Sequence, residues 1–162
     1  IGKGYAVDRG FELLKRHGLS NFYFNGSGDI RVDSRADAPR PWQVGVRNPF
    51  SSDPLKSCAY FKIHSGALAT SGNYNNFIHK LGKSFHHILD PKTGASSKDL
   101  ASVSVFAESA ERADTVATSL MIMGQDRGLE FMKRHDINGF IINEKGEVFR
   151  SQKSLDILEQ YI

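Results

Sequence analysis

Between Ser109 and Gly124 the sequence specifies one helix with defined ends and two oxygen-bearing side chains on an otherwise small or apolar surface. Ser109 is an N-cap, Glu111 suits the positive helix N-terminus, and Gly124 ends the run. Asp114 and Thr118 are four residues apart and so share a face. Their neighbours Ala113, Val116, Ala117, Leu120 and Met121 mark a helix that packs against something. A carboxylate and a hydroxyl in such a setting cost stability unless they find partners. Two oxygens on one face suit a hard cation such as Mg2+, which takes few protein ligands and keeps waters or phosphates. A satisfied polar pair at a helix–sheet boundary would leave the same spacing.

The remaining pattern supplies the layer for that helix. Val7, Phe11 and Leu14 form one apolar stripe of an opening helix that stops near His17 and Gly18. The chain opens inside this helix without an initiator methionine or a polar cap, so the natural chain is expected to extend upstream. Strand-like runs follow at 21–24, 30–32, 42–46, 60–63, 85–89 and 103–106, with Ala67-Leu68-Ala69 leading into Thr70-Ser71-Gly72. Polar breaks at 25–29, 33–41 and 48–54 and the Asp90-Pro91-Lys92-Thr93-Gly94 turn separate them. A second helix over 126–135 precedes a hairpin, 139–143 and 147–150, around Glu144-Lys145-Gly146. From Ser154 a terminal helix is expected to carry Leu155, Leu158 and Ile162. The sum is an α+β fold, a largely antiparallel sheet with packed helices, in a single domain over 1–162.

Composition bounds the function. In 162 residues, 40% hydrophobic and 24% charged, 21 basic side chains only narrowly outnumber 18 acidic ones, and they are scattered rather than clustered. That argues against a nucleic-acid surface. The lone Cys58 can form neither an internal disulfide nor a zinc site and is expected to be a buried thiol in a strand. No apolar run approaches the length of a membrane span.

Two further groups bear on chemistry. His86 and His87 are adjacent in a strand-like run and must face opposite ways, so at most one faces any given pocket. Gly2, Gly4 and Lys3 lie at a helix start, where backbone amides attract anions, and Gly26-Ser27-Gly28 allows close backbone approach to a phosphate. Neither glycine group fits the dinucleotide-binding fingerprint, and turn glycines are the common explanation of both.

Five motifs in order resemble the ApbE family. Gly2-Lys3-Gly4-Tyr5-Ala6-Val7-Asp8 is similar to its Lys-Gly-Tyr-Ala-x-Asp motif, and Asn25 to Asp29 to its Gly-Gly-Asp turn. Ser71-Gly72-Asn73-Tyr74 resembles its Ser-Gly-x-Tyr segment, and His87 to Gly94 its His-Ile-Ile-Asp-Pro-x-Thr-Gly signature. Val103 to Val105, with Ala113 to Gly124, resembles its metal-binding helix. The resemblance implies an N-terminally incomplete, T-fold-like domain, the C-terminal portion of a flavin transferase. It also implies an activity, Mg2+-dependent transfer of FMN from FAD to a Thr or Ser hydroxyl of an acceptor protein, with AMP released. By the same resemblance Asp114 and Thr118 are the metal ligands, Lys3 and the Ile88 backbone segment contact FAD, and His87 is the catalytic base. His86 stands where the family often has serine. Asp90 to Ser96 also fits the acceptor pattern, which makes Thr93 a candidate for self-modification. Relatives imply a bacterial periplasmic location, anchored as an inner-membrane lipoprotein through an upstream segment. A flavin-binding module, an FAD pyrophosphatase giving FMN and AMP, and a non-catalytic interaction domain are the rival readings.

Overall fold

The computed structural model describes residues 1–34, 37–74, 77–80 and 83–161. It begins with helix α1 (Gly2–Arg16), whose last turn carries Lys15 and Arg16 and which Gly18 ends at φ 78°. Strands β1 (Phe22–Gly26), β2 (Asp29–Asp33), β3 (Trp42–Arg47), β4 (Ser57–Ile63), β5 (Gly66–Gly72), β6 (Phe77–Lys80), β7 (Lys83–His86) and β8 (Leu100–Ala107) follow. Helices α2 (Ala110–Met123) and α3 (Gln125–Arg134), strands β9 (Asn138–Asn143) and β10 (Val148–Arg150), helix α4 (Gln152–Ile157) and strand β11 (Leu158–Tyr161) complete the chain. A six-stranded antiparallel sheet runs β1-β2-β5-β8-β9-β10, and a three-stranded sheet runs β11-β4-β3.

Side chains alternate across the large sheet, so each central strand feeds two cores. Leu68 of β5, Phe106 of β8 and Phe140 and Ile142 of β9 pack with Val44, Val46 and Phe61 of the small sheet. Val103 and Val105 of β8 and Ile141 of β9 pack on the other face against Ala117, Leu120 and Met121 of α2 and Met132 of α3. Ala67 and Ala69 of β5 meet Val7 of α1 and Ala110 and Ala113 of α2 in a third cluster of small side chains. The molecule is therefore layered: helices, large sheet, small sheet.

Alternation also clasps α1 to β2. Ile30 and Val32 enter the core between the sheets, and Asp29, Arg31 and Asp33 point toward α1. Asp29 pairs with Lys3 at 3.0 Å and Asp33 with Lys15 at 2.5 Å. Arg31 reaches Asp8 at 3.0 Å and Glu12 at 3.1 Å.

Two expectations about local structure are revised. The strand expected over 85–89 stops at His86, because Ile88 turns its N–H back to the His86 ring and its carbonyl accepts from Ser97 N–H. Leu89 keeps only an isolated bridge to Ser96 above the turn that Gly94 closes at φ 68°. The terminal helix is short, and Leu158 lies in β11, which pairs with β4. An isolated helix this short is marginal, whereas the β4 edge offers unpaired backbone groups. Ile162 lies outside the described residues. Cys58 is buried as expected, its Sγ 3.5 Å from the Val46 carbonyl oxygen, and burial pushes the thiol pKa up.

Candidate active site

The end of β5 on the helix face, the start of α1, the α2 face bearing Asp114 and the loop after β7 surround a cleft of about 820 Å³. Helix α2 forms where expected, with Ser109 Oγ accepting from Arg112 N–H and Gly124 at φ 76°. Ala110, Ala113 and Ala117 are buried, which lets α2 lie close on the sheet and on α1. At Gly4 the approach is so close that an added Cβ would lie 2.5 Å from the Ala110 oxygen.

That contact delivers the N-terminus of α1 to Asp114. The buried Asp114 Oδ2 accepts from Gly4 N–H at 3.1 Å and lies 2.9 Å from the Ile1 nitrogen. Burial alone would push its pKa up. The hydrogen bond from Gly4 N–H and the positive charge of Lys3 oppose that rise. One turn along α2, Thr118 Oγ1 lies 2.9 Å from Ser71 Oγ, so β5 fixes the hydroxyl. Asp114 and Thr118 both line the cleft.

The cleft has a second acid behind its wall. Asp29 is only 1% exposed. Its Oδ1 accepts from Lys3 Nζ at 3.0 Å, and its Oδ2 has no hydrogen-bond donor among the described residues. Burial raises the Asp29 pKa, Lys3 opposes the rise, and the adjacent Asp114 carboxylate adds to it. The preceding turn runs through Ser27 at φ 55° and Gly28 at φ 97°, and Ser27 lines the cleft.

The two histidines divide as strand alternation requires. His86 is buried: Nε2 donates to the Ser97 carbonyl oxygen at 2.7 Å and Nδ1 accepts from Ile88 N–H at 3.3 Å. Both partners allow only the Nε2–H tautomer, so this ring is a structural pin. His87 is exposed and lines the cleft beside Ile88. Ile88 is buried, and its backbone is already engaged with His86 and Ser97, so it contributes mainly apolar wall. All five residues expected at the site, Lys3, His87, Ile88, Asp114 and Thr118, line this one cleft. Thr93 stands outside it, in the exposed turn, its Oγ1 accepting from Ala95 N–H at 3.3 Å.

Three residues that support the site have no role assigned from sequence. Asp8 is buried and accepts from Ala110 N–H and Glu111 N–H, each at 2.9 Å, so a side chain of α1 caps the start of α2. Its place on the stripe with Gly4 and Phe11 is the signal, an acid on an inward face. Asp29 carries a similar signal, an acid opening a strand of otherwise apolar alternation. Ser71, the partner of Thr118, has none beyond its motif.

An ammonium, an exposed imidazole, a buried carboxylate and a hydroxyl thus meet in one cleft. The ApbE family model matches residues 1–141, and the chain belongs to that family. The FAD:protein FMN transferase of Haemophilus influenzae is 29% identical over 163 residues, 99% of this chain and 47% of that protein. The protein of the same name from Vibrio cholerae is 31% identical over 155 residues, 95% of this chain and 46% of that one. A crystal structure of the ApbE protein from Thermotoga maritima superposes with a TM-score of 0.85 at 31% identity, covering 99% of this chain and 52% of that one. For the flavin transferase ApbE from Vibrio cholerae the TM-score is 0.79 at 29% identity, covering 98% and 51%. The chain thus spans about half the length of the relatives it matches.

Proposed function

We propose that the chain serves Mg2+-dependent transfer of FMN from FAD to a threonine or serine hydroxyl of an acceptor protein, releasing AMP. The observation that carries this reading is the convergence of Lys3, His87, Ile88, Asp114 and Thr118, from distant stretches of chain, on one cleft. The relatives named FAD:protein FMN transferase support the reaction class.

The residues present fit Mg2+. Asp114 and Thr118 offer oxygen donors one helical turn apart, and Asp29 Oδ2, near Asp114, is a buried carboxylate oxygen with no hydrogen-bond partner among the described residues. Asp114 and Thr118 would hold the ion, which when bound supplies charge neutralisation at the pyrophosphate oxygens. Lys3, anchored on Asp29, presents its ammonium to a phosphate of FAD. His87, exposed at the cleft, takes the proton of the acceptor hydroxyl onto an imidazole nitrogen. The hydroxyl oxygen bonds to the FMN-side phosphorus, the pyrophosphate P–O bond breaks, and the bridging oxygen leaves with AMP. Such a transfer asks for alignment and charge stabilisation more than for a covalent enzyme intermediate.

The test is incubation of the chain with FAD, Mg2+ and a peptide bearing the acceptor motif, followed by mass spectrometry. Added FMN mass, lost in Asp114→Ala and His87→Ala, is the expected result. FMN and AMP without peptide modification would replace the reading with a pyrophosphatase. FAD bound but intact would replace it with a flavin-binding module.

A further inference from the structure

The buried pair Asp29 and Asp114 is compensated on only part of its surface. Asp114 Oδ2 receives Gly4 N–H and the Ile1 nitrogen, and Asp29 Oδ1 receives Lys3. The two are linked through adjacent residues of α1, Lys3 binding Asp29 and Gly4 N–H binding Asp114, and the Asp114 charge adds to the rise in the Asp29 pKa that burial causes. Asp29 Oδ2 has no hydrogen-bond donor among the described residues, in a residue only 1% exposed. A buried carboxylate oxygen with no donor is costly, and one beside a second carboxylate costs more. Such a pair is stabilised by whatever positive group sits between its oxygens.

We propose that Asp29 is a second carboxylate of the cation site, its Oδ2 directed to the ion held by Asp114 and Thr118 while its Oδ1 positions Lys3. The inference rests on the reading of Asp114 and Thr118 as metal ligands and extends it. It assigns one side chain two tasks: carrying charge to the metal corner and aiming the ammonium that meets the phosphate. The placement follows from local structure. Asp29 is the first residue of β2, on the α1 face, directly after the Ser27–Gly28 turn that lets the chain reach the cleft. A residue whose only task was to hold Lys3 would need one oxygen, and Lys3 is half-exposed and has little need of a wholly buried anchor.

Titration of the chain with Mn2+ as the probe, and with Mg2+ in competition, separates these roles without any turnover. Expected is binding by the wild-type chain, loss in Asp114→Ala, and about 10-fold or greater weakening in Asp29→Asn, the size usual for groups that support metal ligands. In metal-free buffer Asp29→Asn should melt no lower than wild type, since it removes repulsion and keeps an acceptor for Lys3. Asp29→Ser provides the same test should the Asn variant fold poorly. Lys3→Met should leave Mn2+ affinity unchanged or raise it. Wild-type affinity in Asp29→Asn, or equal weakening in Lys3→Met, would overturn the proposal and reduce Asp29 to an anchor for Lys3. If the wild-type chain binds no Mn2+, the metal reading of Asp114 and Thr118 falls and the proposal falls with it. Binding abolished by Asp114→Ala but untouched by Asp29→Asn would leave that reading standing.

Discussion

Gly4→Ala sets two magnitudes of opposite sign against each other. Within a helix, replacing glycine by alanine is worth up to about 1 kcal/mol. Position 4 lies in the first turn of α1, where nothing in the backbone demands glycine. The added Cβ, however, would lie 2.5 Å from the Ala110 oxygen, 2.7 Å from its carbonyl carbon and 2.7 Å from Glu111 Cα. Comfortable carbon contacts are about 3.5–4.0 Å, so α1 must retreat by roughly 1 Å. All three atoms belong to backbone and cannot swing away. Overpacking of this kind costs about 1–3 kcal/mol. The retreat also stretches the Gly4 bond to Asp114 and both Asp8 bonds to α2, each worth about 1 kcal/mol. The net expectation is destabilisation by about 1–4 kcal/mol. Gly2→Ala is the matched control: its Cβ would meet nothing within 4 Å, so it should be neutral or stabilising by up to about 1 kcal/mol. Urea unfolding midpoints, compared at equal slope, read the difference. If Gly4→Ala is as stable as Gly2→Ala, the close α1–α2 crossing argued here is wrong.

Asp8→Ala should cost about 3–5 kcal/mol in the same assay, because it strips a buried partner from Arg31 and leaves two helix N–H groups bare, and Asp8→Asn should cost less. Ser27→Gly should stabilise by about 0.5 kcal/mol in thermal unfolding, since relief at φ 55° slightly exceeds the entropy glycine adds to the unfolded chain. His86→Ala should lose about 2–3 kcal/mol by removing both ring hydrogen bonds. His87→Ala should stay within about 0.5 kcal/mol of wild type and lose FMN transfer instead. Asp29 gives the metal-free protein one pH limb. Asp29, with its pKa raised, contributes stability that is present below the unfolded value and lost as pH rises through the folded one. Melting curves from about pH 3 to about pH 6 should therefore lose their rising-pH loss in Asp29→Asn; an unchanged pH dependence in that variant would refute the shift.

Helix α2 was legible because its signals are local: a serine cap, a glycine stop and a periodic small face lie within one stretch of chain. The antiparallel sheet was legible from alternation in the same way. The end of β7 and the strand character of Leu158 were not, because pairing partners decide them, Ser97 and His86 for the loop at Ile88 and β4 for Leu158. At the site, motif order pointed to the five cleft residues, whereas Asp8, Asp29 and Ser71 act through partners far off in sequence. A buried acid's role depends on what lies across from it, and spacing within its own element cannot supply that.

The opening turns of α1 join stability to chemistry. Gly4 allows the helix to touch α2, Asp8 caps α2, and the same approach brings Gly4 N–H to Asp114 and sets Lys3 against Asp29. The salt bridges from β2 fix the helix along its length, at Lys3, Asp8, Glu12 and Lys15. A change at any of these positions alters where the ammonium and the carboxylates meet. A variant that pushes α1 off α2, such as Gly4→Ala, should therefore lose metal affinity and stability together, whereas variants of the loop at His87 should lose transfer with the fold intact. The cleft's charged corner is thus an output of helix–helix and helix–sheet packing, and His87 sits on a separate loop that the packing leaves free to face solvent.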